Sequence, residues 1–223
     1  MSRKLADLIG MFKINTHLFT AEGPSAVARI AKLGRGIFLD LKYHDIPNTV
    51  AGAVAAAVRL PGVRLINVHA LGGVEMMRAA AAAVKEARLG AGRPKLLGVT
   101  ILTSHNAASL EAVGIRGTPA LRAVKLARLA QNCGLDGVVA SPQEARAIRR
   151  ACGERFLIAV PGIRPTEVAR LRTRKDDQAR VSTPRAAIEA GADYLVVGRP
   201  ITAADDPRAA AELILAEVAS ALA

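Results

Sequence analysis

The chain has 223 residues, 51% of them hydrophobic, and a formal net charge of +12. This length suits one substantial core, no apolar run is long enough to cross a bilayer, and the start, MSRKLADLIGMFK, is too interrupted for a signal peptide, so a soluble cytoplasmic protein without a membrane partner is expected. The positive charge raises the question of nucleic acid, but arginines recur singly among alanines (Arg78, Arg88, Arg122, Arg128, Arg146, Arg149) and aromatics make up only 3%, which leaves neither a basic stripe nor stacking platforms. No nucleic-acid partner is expected; a field of this sign suits steering of a small anionic substrate.

In chain order, short β-branched runs alternate with alanine-rich helical patterns, the sequence form of βα units around a parallel sheet. SRKLADLIG reads as the end of a helix, and the predicted strands follow as MFKI (11–14), GIFLDL (36–41), RLINVHA (64–70), KLLGVTIL (95–102), DGVVA (136–140), RFLIAV (155–160) and DYLVVG (193–198). Helices are expected at about 24–33, 47–59, 73–89, 119–132, 143–151, 184–190 and 208–222, several opened by Pro or Ser in a first-turn position. The tract AGAVAAAV fits close helix packing. The longest irregular piece, 161–184, carries prolines and many charges, and a loop of that length is more often functional than accidental. Seven strands are one fewer than a closed (β/α)8 barrel needs, and a helix at the start implies a first βα unit without its strand. The whole of 1–223 is expected to be a single domain.

Cys133 and Cys152 lack a C-x-x-C spacing or nearby histidines, so a reducing compartment, ordinary thiols and no metal site are expected. The chemistry concentrates in FLDLKYHDIPNT, residues 38–49. Strand alternation puts Asp40 and Lys42 on one face, and in a barrel the carboxyl end of a strand carries the site. A surface ion pair is the ordinary reading of a lone D-x-K; the second carboxylate at Asp45 and the turn-forming IPN weigh against it. Carboxylates on both sides hold a lysine as its ammonium, so Lys42 suits proton donation and not Schiff-base chemistry, which disfavours an aldolase. Such an ammonium can stabilise and protonate a carbanion, and the group suits a decarboxylation without a cofactor. Arg164 in PGIRP and Arg199 in VVGRPIT follow the last two strands, where barrels commonly bind phosphate.

FLDLKYHDIPNTV, NVHA, VTILTS, GLDGVVAS, PGIRP and YLVVGRPIT, in this order, resemble the bacterial type of the orotidine 5′-monophosphate decarboxylase family, over nearly the whole chain from Phe12 to about Pro207. D-x-K-x-x-D is shared with related sugar-phosphate decarboxylases; its continuation as DIPNT, with LTS and PGIRP, is more specific. The resemblance implies a (β/α)8 TIM barrel of the ribulose-phosphate-binding type, with seven strands visible here, that converts orotidine 5′-monophosphate to UMP and CO2 in pyrimidine synthesis. It implies a homodimer with shared active sites and neither metal nor organic cofactor. Lys42 would protonate C6, Asp40 would neighbour the substrate carboxylate, and Lys13 would lie near the ribose and Asp40. Asp45, Ile46 and Thr49 would come from the partner subunit, and Thr103 would meet the pyrimidine or the loop over it. Arg164, Gln178, Gly198 and Arg199 would hold the phosphate end. His44 and His69 are read as packing residues. The family's opening strand, which ends in A-L-D with a ribose-contacting aspartate, has no counterpart, and a misassigned start or a truncation fits better than a degenerate copy because the other site residues are intact. The alternatives are a phosphosugar decarboxylase or aldol-type lyase on the same barrel, or a weakened nucleotide-binding paralogue.

Overall fold

A computed structural model describes residues 1–87, 92–166 and 180–222. Its contacts divide the chain into two compact units, residues 2–99 with 129–137, and residue 1 with 100–128 and 138–223.

The first unit holds α1 (Ser2–Leu5), β1 (Met11–Asn15), α2 (Thr16–Glu22), α3 (Pro24–Ala31), β2 (Gly36–Tyr43), α4 (Pro47–Ala57), β3 (Val63–His69), α5 (Gly73–Glu86) and β4 (Lys95–Val99). β1 pairs with β2, β2 with β3 and β3 with β4, all in parallel. Ile37, Phe38 and Leu39 are all buried, as expected of a strand covered on both faces. Helices supply the cover: α5 buries Met76, Met77, Ala80, Ala81, Ala83 and Val84, and the small residues of α4 let the two helices pack together. Gly98 on β4 allows close packing: a Cβ there would lie 3.1 Å from both Ala130 Cβ and Leu135 Cδ2, so those neighbours would have to give by a few tenths of an ångström.

The second unit holds α6 (Ala107–Glu111), α8 (Pro142–Cys152), β6 (Leu157–Pro161), α9 (Pro184–Glu189), β7 (Tyr194–Val196), α10 (Arg199–Thr202) and α11 (Pro207–Leu222). The intervening α7 (Pro119–Asn132) and β5 (Gly137–Val139) contribute residues to both units. β6 and β7 pair in parallel, and an isolated bridge joins Ile163 to Ser182. The Ser141 hydroxyl accepts from the Gln143 N–H and Glu144 reaches back to the Ser141 N–H, a capping box that starts α8.

The strand order is β1-β2-β3-β4-β5-β6-β7, the chain order, as in an α/β barrel of the TIM type. All seven expected strands are present among the described residues, with ends shifted by a few positions; β4 stops at Val99, short of the expected Leu102. Three short helices were not legible: α2, capped by the Asn15 side chain accepting from the Leu18 N–H, together with α6 and α10. The long irregular segment expected at 161–184 lies in part outside the described residues.

Two strand starts carry the same device. Asp136 accepts the Leu96 N–H at 2.9 Å while its own N–H donates to the Leu96 carbonyl, and Arg93 grips its carboxylate. Asp193 does this with Ile158, accepting its N–H at 2.7 Å, and Arg149 holds the carboxylate. A side chain there extends the main-chain ladder by one bond, and an arginine on the same carboxylate adds charge-assisted hydrogen bonds to the clamp.

Candidate active site

The end of β2 departs from regular pairing. Leu39 is level with Ile66 and Tyr43 with Val68, so β2 spends four residues where β3 spends two. Asp40, Leu41 and Lys42 form this bulge, and Lys42 has φ 52°, the one left-handed non-glycine among the described residues. A lysine held there costs about 1–3 kcal/mol, which surrounding contacts must offset. Asp40 and Lys42 do meet, as alternation predicted, but the bulge and the turned backbone, and not an even pleat, bring them together.

Asp40 is the centre of the group and is 6% exposed. Its Oδ1 accepts from Lys42 Nζ at 2.6 Å and from Asn67 Nδ2 at 2.7 Å, and its Oδ2 accepts from Lys13 Nζ at 2.7 Å. Burial pushes the Asp40 carboxyl up, but the charges and hydrogen bonds of Lys13 and Lys42 outweigh it, and the group stays below the ordinary carboxylate range. Lys13 comes from β1, level with Phe38, so adjacent strands deliver both ammoniums. Asn67 on β3 is fully buried, and its Oδ1 accepts the Lys42 N–H at 2.8 Å.

Residues 44–49 are all exposed. Asp45 turns its Oδ1 to the Ile46 N–H at 2.6 Å, and within this one chain it makes no ion pair with Lys42 among the described residues. Ile46 is 66% exposed, and Thr49 lies exposed in the first turn of α4. The His44 and His69 ring centroids lie 5.3 Å apart with the planes tilted by 31°. Burial first, then His44 and Lys42, lower His69 to a pKa of about 4, so it is neutral at physiological pH. Its Nδ1 is buried without a hydrogen-bond partner among the described residues.

In the second unit, Arg164 is 8% exposed; its Nη1 donates to the Ile163 carbonyl and its N–H to that of Ser182. Gly198 precedes α10 and Arg199 opens it, both exposed, while Thr103 is half-buried four residues past the end of β4. Gln178 lies outside the described residues. Arg180 was not singled out by the sequence: it is buried, pairs with the buried Glu144 and donates to the Leu102 carbonyl at 3.0 Å. Its partner is thirty-six positions away, a spacing without local periodicity.

Asn67 was also missed. The available signal was a lone amide between Ile66 and Val68 in an apolar strand, since a buried amide must find partners. Chemically, the first unit offers two ammoniums on one ionised carboxylate at a strand end, able to stabilise negative charge and deliver a proton. Among the described residues no group of three or more His, Cys, Asp or Glu is placed to hold a metal ion, and no helix is long and apolar enough to cross a membrane.

The family model "Orotidine 5′-phosphate decarboxylase / HUMPS family" matches residues 1–214. A relative from Trichlorobacter lovleyi named orotidine 5′-phosphate decarboxylase is 54% identical over 217 residues, covering 97% of this chain and 88% of its own length. Another of that name, from Pelobacter propionicus, is 54% identical over 96% of this chain and 86% of its own. Among solved structures, the orotidine 5′-phosphate decarboxylase of Lactobacillus acidophilus superposes with a TM-score of 0.78 at 39% identity, covering 92% of this chain and 85% of that one. That of Pyrococcus horikoshii gives 0.73 at 27% identity, covering 98% and 91%.

Proposed function

Because the chain belongs to the orotidine 5′-phosphate decarboxylase / HUMPS family, we propose that it converts orotidine 5′-monophosphate to UMP and CO2 in pyrimidine biosynthesis, with Lys42 as the acid. The observation that carries the assignment of roles is the Lys13–Asp40–Lys42 ion network at the end of β2. The C6–carboxylate bond breaks, its electron pair stays on C6, CO2 leaves, and a proton moves from Lys42 Nζ to C6. Asp40 neighbours the departing carboxylate and, ionised, keeps Lys42 charged and aimed until transfer. Lys13 neutralises the other oxygen of Asp40 and faces the ribose. Solvent returns a proton to Lys42 after release. No cofactor or metal is needed for this proton balance.

Asp45, Ile46 and Thr49 act across a homodimer, completing the partner subunit's site; the exposure of 44–49, with an apolar Ile46 in its midst, supports this. Thr103 meets the pyrimidine side, and Arg164, Gly198 and Arg199, with Gln178, take the phosphate. The protein works as one catalytic domain in the cytoplasm, on small molecules and without nucleic acid.

Incubation with orotidine 5′-monophosphate is expected to lower the substrate's absorbance, with or without a chelator. Lys42→Ala is expected to cut kcat at least about a thousandfold, as loss of a positioned acid does; an unchanged rate would overturn the role. Mixing inactive Lys42→Ala and Asp45→Asn chains is expected to restore activity, because each hybrid dimer contains one native site. No restoration means that Asp45 serves its own chain.

A further inference from the structure

We propose that Asn67 is a positioning residue for proton transfer, its side-chain amide standing in for the strand pairing that β2 gives up at its bulge. The inference rests on the decarboxylase reading. Three observations meet at this residue. First, the register between β2 and β3 breaks between Leu39 and Tyr43, and Asn67 lies between Ile66 and Val68, the two residues of β3 that flank the break. Second, Lys42 has a left-handed φ of 52° there, outside the extended range of a regular strand. Third, the Asn67 side chain receives that N–H on Oδ1 at 2.8 Å and donates through Nδ2 to Asp40 Oδ1 at 2.7 Å.

The two bonds fix the amide's orientation, because the main-chain donor requires oxygen and the carboxylate requires nitrogen. They also fix what the amide orients. One bond stabilises the turned backbone from which the Lys42 side chain departs. The other turns Asp40 so that Oδ1 faces Lys42 and Oδ2 faces Lys13. Neither lysine can do this alone, since both ammoniums sit on flexible stems and are about a third exposed, at 31% and 32%. Asn67 is 0% exposed on a central strand, so its own rotamer is held by packing. It touches neither substrate nor reacting atom and acts through Asp40 and Lys42.

A purely structural amide would support the fold without regard to proton transfer, and the experiment separates the two. Hydrogen exchange of the Lys42 amide, which needs no turnover, reads the first bond: Asn67→Leu is expected to lose protection at Lys42 while Leu65, Ile66 and Val68 keep theirs. In the same variant kcat is expected to fall about a hundredfold with KM within about threefold, the signature of a lost transition-state arrangement. Asn67→Asp keeps the acceptor and becomes a donor to Asp40 only when protonated, in a site that also holds Lys13, Lys42 and His69, with the His44 ring beside His69. Its kcat relative to the parent is expected to rise at least about tenfold from pH 8 to pH 6, as one proton comes to be shared by two carboxylates. Unchanged protection at Lys42 in Asn67→Leu, a fall in kcat of less than about threefold, or a pH-independent ratio for Asn67→Asp overturns the proposal. If Asn67→Leu does not fold, the Asn67→Asp ratio decides alone. Failure of the decarboxylase reading is seen separately, as absence of turnover in the parent.

Discussion

Asp40 and Glu144 are both buried acids paired with bases, yet their carboxyls are displaced in opposite directions. Asp40 faces two ammoniums and an amide and lies below the ordinary carboxylate range. Glu144, 1% exposed, has the Arg180 guanidinium and the Ser141 N–H, and burial outweighs them and lifts it above that range. The difference lies in the number of compensating charges, not in depth. It also lies in the freedom of the partners: Lys13 and Lys42 reach solvent, whereas Arg180 is 9% exposed and cannot. On the proposed reading, the candidate site keeps its acid ionised among movable bases, while Glu144 and Arg180 hold each other in place.

Substitutions should separate the two. Asp40→Asn is expected to lower kcat about a thousandfold, equivalent to about 4 kcal/mol, with a small change in the urea midpoint because its lysines can turn to solvent. A large loss of stability with intact turnover would reverse the comparison. Glu144→Gln leaves Arg180 charged, buried and unpaired, and is expected to cost about 3 kcal/mol in urea unfolding. Their pH dependences should also differ in sign. Asp40 binds fewer protons folded than unfolded, so its contribution is present above its usual value of 3.8 and is lost as pH falls through the lower folded value. Glu144 binds more protons folded, so its contribution is present in acid and is lost as pH rises above 4.5 through its raised value.

His69 sharpens the same point with a base. Folding lowers it from 6.5 to about 4, so the neutral form is favoured and stability falls as pH drops through that window. His69→Phe is expected to remove about 2 kcal/mol of the difference in stability between pH 7 and pH 5. The smallest effect concerns the turned backbone: Lys42→Gly is expected to be more stable than Lys42→Ala by about 1 kcal/mol, since only glycine tolerates a left-handed φ freely. Equal melting temperatures for that pair would mean that the bulge stores no strain.

Much of this was legible in the sequence because it is local. The seven strands read as apolar runs between turn residues, and the D-x-K-x-x-D segment announced its charges at a strand end. The bulge was not legible: alternation assigns Asp40 and Lys42 to one face without showing that β2 and β3 lose register there. Asn67 was hidden by its neighbours, since INVH reads as a strand and an amide's partners on another strand leave no mark in its own segment. Arg180 was read as part of a charged loop because the acid that buries it belongs to the capping box of α8. Periodicity finds elements; long-range polar pairing lies beyond it.

The paired devices at Asp136 and Asp193 lead to a different kind of expectation. Both clamp a strand at its amino end, with a carboxylate closing the ladder and an arginine closing the carboxylate. Asp40 and Lys42 sit at the other end of their strand, where the ladder is broken. Strand beginnings so fastened free the endings to drift under selection. In a library scored once for soluble yield and once for growth without added pyrimidine, Asp136 and Asp193 should fail both screens, and Lys42 only the second.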